Sequence, residues 1–145
     1  MTTAAASCSV LRRIGDVAEA TGLTPRAIRY YEEIGLLKPA AHVSGANRRY
    51  DEEDAERLHL IKRLREVVGL GLADVRTYLE TEDERRALKH EYEATDDPAR
   101  RSQLLDRVEP ILGRRVELLE RKLYTVLSLL DEERARIARV RTLRS

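Results

Sequence analysis

The sequence predicts a mainly α fold, a winged helix-turn-helix head followed by a long C-terminal dimerisation helix. Three observations predict it. Two short amphipathic segments meet at a glycine-containing turn within residues 12–38. From Leu105 to Val140 apolar residues follow alternating steps of three and four, broken at Glu109 and Glu133, the seam pattern of a coiled coil. With six Tyr, no Phe or Trp and 37% charged residues, the chain of 145 residues is too polar for one large core and suits long exposed helices.

The first 11 residues carry Ala, Ser and Thr without periodicity and read as a tail. Ile14, Val17 and Ala18 then mark a short helix that stops at Gly22. Thr24 is a helix N-cap and Pro25 fits the first helical position, where its missing N–H has no partner. The second helix runs to about Ile34, with Gly35 and Pro39 ending it. Ser44 to Asn47 followed by Arg48, Arg49 and Tyr50 has the chemistry of a loop and a small hairpin, or wing. Asp51 caps a third helix whose buried side holds Leu58, Ile61, Leu64 and Val68, and Lys62, Arg63 and Arg65 read as its solvated face. After Gly69 and Gly71, Leu72, Val75 and Leu79 give a fourth short helix.

Residues 80–97 are charged and read as a weakly packed helix or connection, and Asp97 with Pro98 reads as a new cap and first turn. Seam positions Leu112, Val116, Leu119, Leu123, Val126, Leu130 and Ile137 are assigned to dimerisation, flanked by Leu105 and Val140. Pro110 is expected to kink or restart this helix. The expected organisation is a tail (1–11), a winged helix-turn-helix head (12–79), a connecting helical region (80–103) and a coiled-coil dimerisation helix (104–145).

Charge does not mark a uniform nucleic-acid coat. Residues 1–79 hold 12 Lys/Arg and 11 Asp/Glu, and residues 80–145 hold 15 of each, which gives the net charge of +1. Binding to a polyanion must therefore rest on where the arginines sit. Cys8 is the single cysteine, so neither an internal disulfide nor a paired-thiolate metal site is expected. His42, His59 and His90 are scattered, and His90, Glu91 and Glu93 read as a solvated helix rather than a metal site. No cofactor and no metal are expected. No apolar run approaches the roughly 20 residues of a membrane span, and the N-terminus has no signal-peptide core, so a cytoplasmic protein without membrane contact is expected.

The second helix carries the functional signal. Ala27, Ile28, Tyr31 and Ile34 fall on its inward face, while Arg26, Arg29, Tyr30 and Glu33 fall together on another. In helix-turn-helix proteins the start of the second helix enters the major groove, and arginine pairs bidentately with guanine O6 and N7. An arginine on an exposed helix is commonly just solvated, but here it is joined by the turn, the cap, the wing and the second helix pair. The candidate DNA-binding set is Thr24, Arg26, Arg29, Tyr30, Tyr31, Arg48, Arg49 and Tyr50, with Tyr31 read as a packed tyrosine whose hydroxyl reaches the surface.

The run Arg13-Ile14-Gly15-Asp16-Val17-Ala18, then Thr21-Gly22-Leu23-Thr24, Ala27-Ile28-Arg29-Tyr30-Tyr31-Glu32, Gly35-Leu36-Leu37 and Pro39 resembles the head of the MerR family of transcription regulators. Arg48 and Tyr50 match its wing, and Asp54, Leu58, Ile61, Leu64 and Arg65 match its second helix-turn-helix. The resemblance covers residues 12–79. It implies a homodimer joined by an antiparallel coiled coil, bound to double-stranded promoter DNA between the −35 and −10 elements. It also implies DNA bending that realigns those elements for RNA polymerase, nucleoid association, and an effector in many members. Arg26, Arg29 and Tyr30 would face bases or phosphates, Arg48 would take the wing contact, and Tyr50 a packing or phosphate role. The chain departs from the family at Ala46-Asn47 in the wing, at Gly71 before the fourth helix, and in lacking cysteines near the coiled-coil end, which argues against a thiolate metal or iron–sulfur sensor. Room remains for a small-molecule effector between paired helices.

A helical dimer that only docks other proteins would use the same seam but leaves the Arg26, Arg29 and Tyr30 face unexplained. An enzyme finds no triad, phosphate loop or metal motif. The seam makes a direct prediction. Leu123→Glu places a charge between paired helices and is expected to halve the mass seen by light scattering; an unchanged mass would remove Leu123 from the seam.

Overall fold

The structure is a computed structural model that describes residues 11–38 and 48–145. The expected tail before Leu11 and the expected wing tip at Ser44 to Asn47 lie outside the described residues. The elements are β1 (Arg12–Arg13), α1 (Ile14–Thr21), α2 (Pro25–Glu33), β2 (Arg49–Tyr50), α3 (Glu52–Lys62), a π-wound segment (Arg63–Val67), α4 (Leu72–Ala94) and α5 (Pro98–Leu143). They fall into two compact units, divided between Val75 and Arg76 within α4.

In the first unit α1 is the hub, touching α2, α3 and both strands. Val17, Leu23, Ile28, Tyr31, Leu36, Leu37, Tyr50, Leu58 and Ile61 are buried there. The caps follow the sequence signals. Thr24 Oγ1 accepts the Ala27 amide at 3.1 Å with Pro25 behind it. Asp51 and Asp54 form a reciprocal capping box, with bonds of 2.8 and 3.0 Å. Gly22 closes α1 in the left-handed region, at φ 70°, with its amide on Ala18 O. A side chain there would be strained and would meet Lys62 Nζ at 2.5 Å.

Lys62 and Arg65 are not the solvated residues expected. Lys62 Nζ donates to Thr21 O (3.2 Å) and Gly22 O (3.4 Å), placing a cation on the negative end of α1. Arg65 donates to Leu70 O at 3.0 Å and secures the turn after the π-wound segment. In the same way Arg57 Nε donates to Leu36 O at 2.6 Å, tying α3 to the chain that leaves α2.

The second unit departs further from expectation. The fourth helix is not short: it continues, as one of the two readings of that region allows, to Ala94. Its charges hold it. Arg85 and Arg86 bond Glu82 one turn away, Arg114 of α5 bonds Glu84 at 2.7 Å, and Arg100 bonds Glu91 at 2.7 Å. Arg115 of α5 bonds both Thr81 Oγ1 and Glu82, and its guanidinium lies 4.6 Å from the Tyr78 ring centre. An apolar cluster of Leu88, Leu104 and Ile111, joined by Tyr92 and Val108, fills the space between α4 and α5.

Helix α5 starts as the sequence predicts, with Asp97 Oδ1 accepting the Ala99 amide behind Pro98. Of the kink or restart expected at Pro110, a restart does not occur: the helix is continuous for 46 residues, or about 69 Å. Pro110 is exposed, so water can serve the carbonyl that its ring leaves without an amide.

Glu82 provides a test of the α4–α5 lock. Burial acts to raise its pKa, but hydrogen bonds from Arg85 and Arg115 outweigh this and lower it from 4.5 to about 2. Its stabilisation is therefore complete above the unfolded value of 4.5 and is lost as pH falls toward 2. Thermal melts taken from pH 6 to pH 2.5 should show a shallower acid loss for Glu82→Gln than for the parent chain; parallel curves would mean that the carboxylate is not held by the two arginines.

Candidate nucleic-acid interface

Helix α2 is amphipathic because its buried residues recur at helical spacing. Ile28 is fully buried and Tyr31 nearly so, while Arg26, Arg29, Tyr30 and Glu33 are exposed. The Tyr30 ring, 45% exposed, lies 5.9 Å from that of Tyr31 at an angle of 50°. The outward face therefore joins two guanidinium groups and one phenol at the capped, electropositive start of a helix. Such a surface can hydrogen-bond phosphates and the acceptor atoms of bases.

Two strands stand beside this helix. β1 and β2 pair antiparallel, with Arg12 opposite Tyr50 and Arg13 opposite Arg49. Arg12 also approaches Glu52 at 3.7 Å, an exposed pair that contributes at most about 1 kcal/mol. Arg49 is half-buried, and Arg48 keeps 45% of its side chain exposed.

The eight candidates divide by environment. Arg26, Arg29 and Tyr30 share one exposed face, and Arg48 and Arg49 lie on the wing strand or just before it. Thr24 is exposed but its hydroxyl is engaged in the cap. Tyr31 and Tyr50 are core residues, so the structure does not bring them onto the exposed face.

A residue missing from the candidate set lies between helix and wing. The Glu32 carboxylate accepts hydrogen bonds from the Arg48 guanidinium and from the Tyr50 hydroxyl. Burial, then the Glu32 hydrogen bond and charge, push the Tyr50 phenol well above its usual pKa, while Arg48 and Arg29 act in the opposite sense. Glu32 directly follows the inward-facing Tyr31, and nothing local in the sequence announces partners 16 and 18 residues away.

On α5 every expected seam residue is exposed: Leu112, Val116, Leu119, Leu123, Val126, Leu130 and Ile137, with Leu105 and Val140 beside them. The buried positions Leu104, Ile111 and Leu118 follow a separate seven-residue repeat, offset by one from Leu105, Leu112 and Leu119. The helix thus has one apolar stripe facing the interior of its own unit and a second that is uncovered.

Comparison with known proteins agrees with this geometry. A family profile described as "MerR HTH family regulatory protein" matches residues 12–82. The chain is 34% identical over 116 residues to the HTH-type transcriptional regulator YfmP of Bacillus subtilis, covering 80% of this chain and 83% of that protein. It is 31% identical over 114 residues to the HTH-type transcriptional regulator ZntR homolog of Haemophilus influenzae, covering 79% of this chain and 83% of that one. Among solved structures, it overlaps a crystal structure of HiNmlR, "a MerR family regulator lacking the sensor domain, bound to promoter DNA", with a TM-score of 0.46, 21% identity and 79% of each chain covered, a likeness too distant to add to the sequence matches.

The cap that starts α2 can be tested alone. Thr24→Ala leaves one amide without its acceptor and is expected to lower stability by about 1 kcal/mol in urea unfolding. A loss under a few tenths would show that the cap does not hold the helix.

Proposed function

We propose, from the premise that this chain belongs to the MerR family of helix-turn-helix regulatory proteins and is a DNA-binding transcription regulator, that it acts as a homodimer on a promoter spacer and works by distorting the DNA. The observation that carries this is the outward face of α2, with Arg26, Arg29 and Tyr30 exposed at a capped helix start beside a two-stranded wing.

In this reading α2 lies in the major groove. Arg26 and Arg29 contact guanine edges or neighbouring phosphates, and Tyr30 donates to a phosphate. Arg48 and Arg49 meet the backbone from the wing. The uncovered stripe of α5 supports the dimer, since a row of exposed Leu, Val and Ile along a charged helix is costly in water and is relieved by pairing with its like. Two heads so joined address half-sites about one helical turn, or roughly 34 Å, apart. Bending between them repositions the promoter elements for RNA polymerase, and its energy depends on the deformability of bases the protein does not touch. A small-molecule effector, where one acts, would sit against the paired helices. The working place is the cytoplasm, on the nucleoid.

Arg29→Ala separates base reading from charge. Gel shifts at fixed salt should show specific binding falling by about 1–3 kcal/mol, or about 5- to 150-fold, with nonspecific binding reduced much less. Equal losses on both would place Arg29 on phosphates and contradict base recognition.

A further inference from the structure

Glu32 is an acid on the helix proposed to meet DNA, where a free carboxylate would repel phosphates. Its side chain is only 4% exposed, and a carboxylate withdrawn from water must be paired to be tolerated. One oxygen takes the Arg48 guanidinium and the other the Tyr50 hydroxyl. Arg48 immediately precedes β2 and Tyr50 lies within it. A single carboxylate on α2 therefore grips the wing strand at two points.

The strand's own geometry gives those points a consequence. Side chains alternate across a strand, so Arg48 and Tyr50 project to one side and Arg49 to the other. Fixing residues 48 and 50 against α2 also fixes the direction in which Arg49 is offered. The Tyr50 hydroxyl is buried, so its bond to Glu32 is costly to break. The Arg48 bond is charge-assisted and stronger than a neutral one. Arg29, three residues before Glu32 on the helix, is close enough to act on the Tyr50 phenol. Helix arginine, buried acid and wing strand thus form one electrostatic unit.

We propose that Glu32 is a positioning residue for DNA recognition. It touches no DNA; it sets the tilt of the wing strand against α2, so that the arginines of helix and wing meet the duplex as one preorganised surface rather than two mobile ones. The proposal rests on α2 and the wing both facing DNA.

The test uses the full chain and a duplex selected from a random library by the unaltered protein, with binding measured well below the melting temperature of every variant. Glu32→Gln keeps the size and one acceptor oxygen but loses the charge. It is expected to weaken specific binding about 10-fold and to leave nonspecific binding within about 2-fold. Tyr50→Phe, which removes only the second grip, should give the same pattern at about 3-fold, and serves if Glu32→Gln unfolds. The double variant Glu32→Gln with Tyr50→Phe should lose less than the product of the two single losses, because both changes act on the same link. Specific binding unchanged in Glu32→Gln, equal loss of specific and nonspecific binding, or fully additive losses in the double variant would each overturn the positioning role while leaving DNA recognition intact. No selected duplex with the unaltered chain would overturn both.

Discussion

Ile28 and Tyr31 stand three residues apart on α2, and both are buried. At 3.6 residues per turn their burial leaves no choice about Arg26, Arg29 and Tyr30, which must face outward together. The interior of the head is thus what aims its surface. Helix α1 supplies much of that interior, and it ends where it must through Gly22 and the Lys62 ammonium set on its last carbonyls. The wing is fastened to α2 by Glu32, so the outward arginines are referred to one origin.

The second unit applies the opposite logic. α5 has more apolar positions than α4 covers. Leu104, Ile111 and Leu118 turn into their own unit, while the stripe through Leu112, Leu119 and Leu123 stays in solvent. Ion pairs with polar anchors, notably Arg115 on Thr81 and Glu82, fix α4 and α5 together without consuming that second stripe. A surface kept free and apolar in this way supports pairing of two chains.

Much of this was legible in the sequence because the signals are local. Thr24-Pro25, Asp51 with Asp54, and Asp97-Pro98 are caps written within four residues, and all three form. The faces of α2 and the exposed stripe of α5 follow from periodicity alone. What escaped depends on distant partners. Residues 80–94 look too charged to pack, yet their charges are satisfied by neighbours one turn away and by α5. The stripe through Leu104, Ile111 and Leu118 is masked because each member adjoins a seam residue. Lys62, Arg65 and Glu32 each bind a group whose nearness only the fold creates, and Pro110 passes within a helix because its side is open to water.

Dimethyl sulfate probing of guanine N7 on a bound promoter fragment asks most directly whether α2 reads the major groove. The account predicts two protected patches about one helical turn apart, with protection weakened at matching guanines in both patches when Arg29 is replaced by alanine. Bound DNA with every guanine N7 still reactive would contradict it.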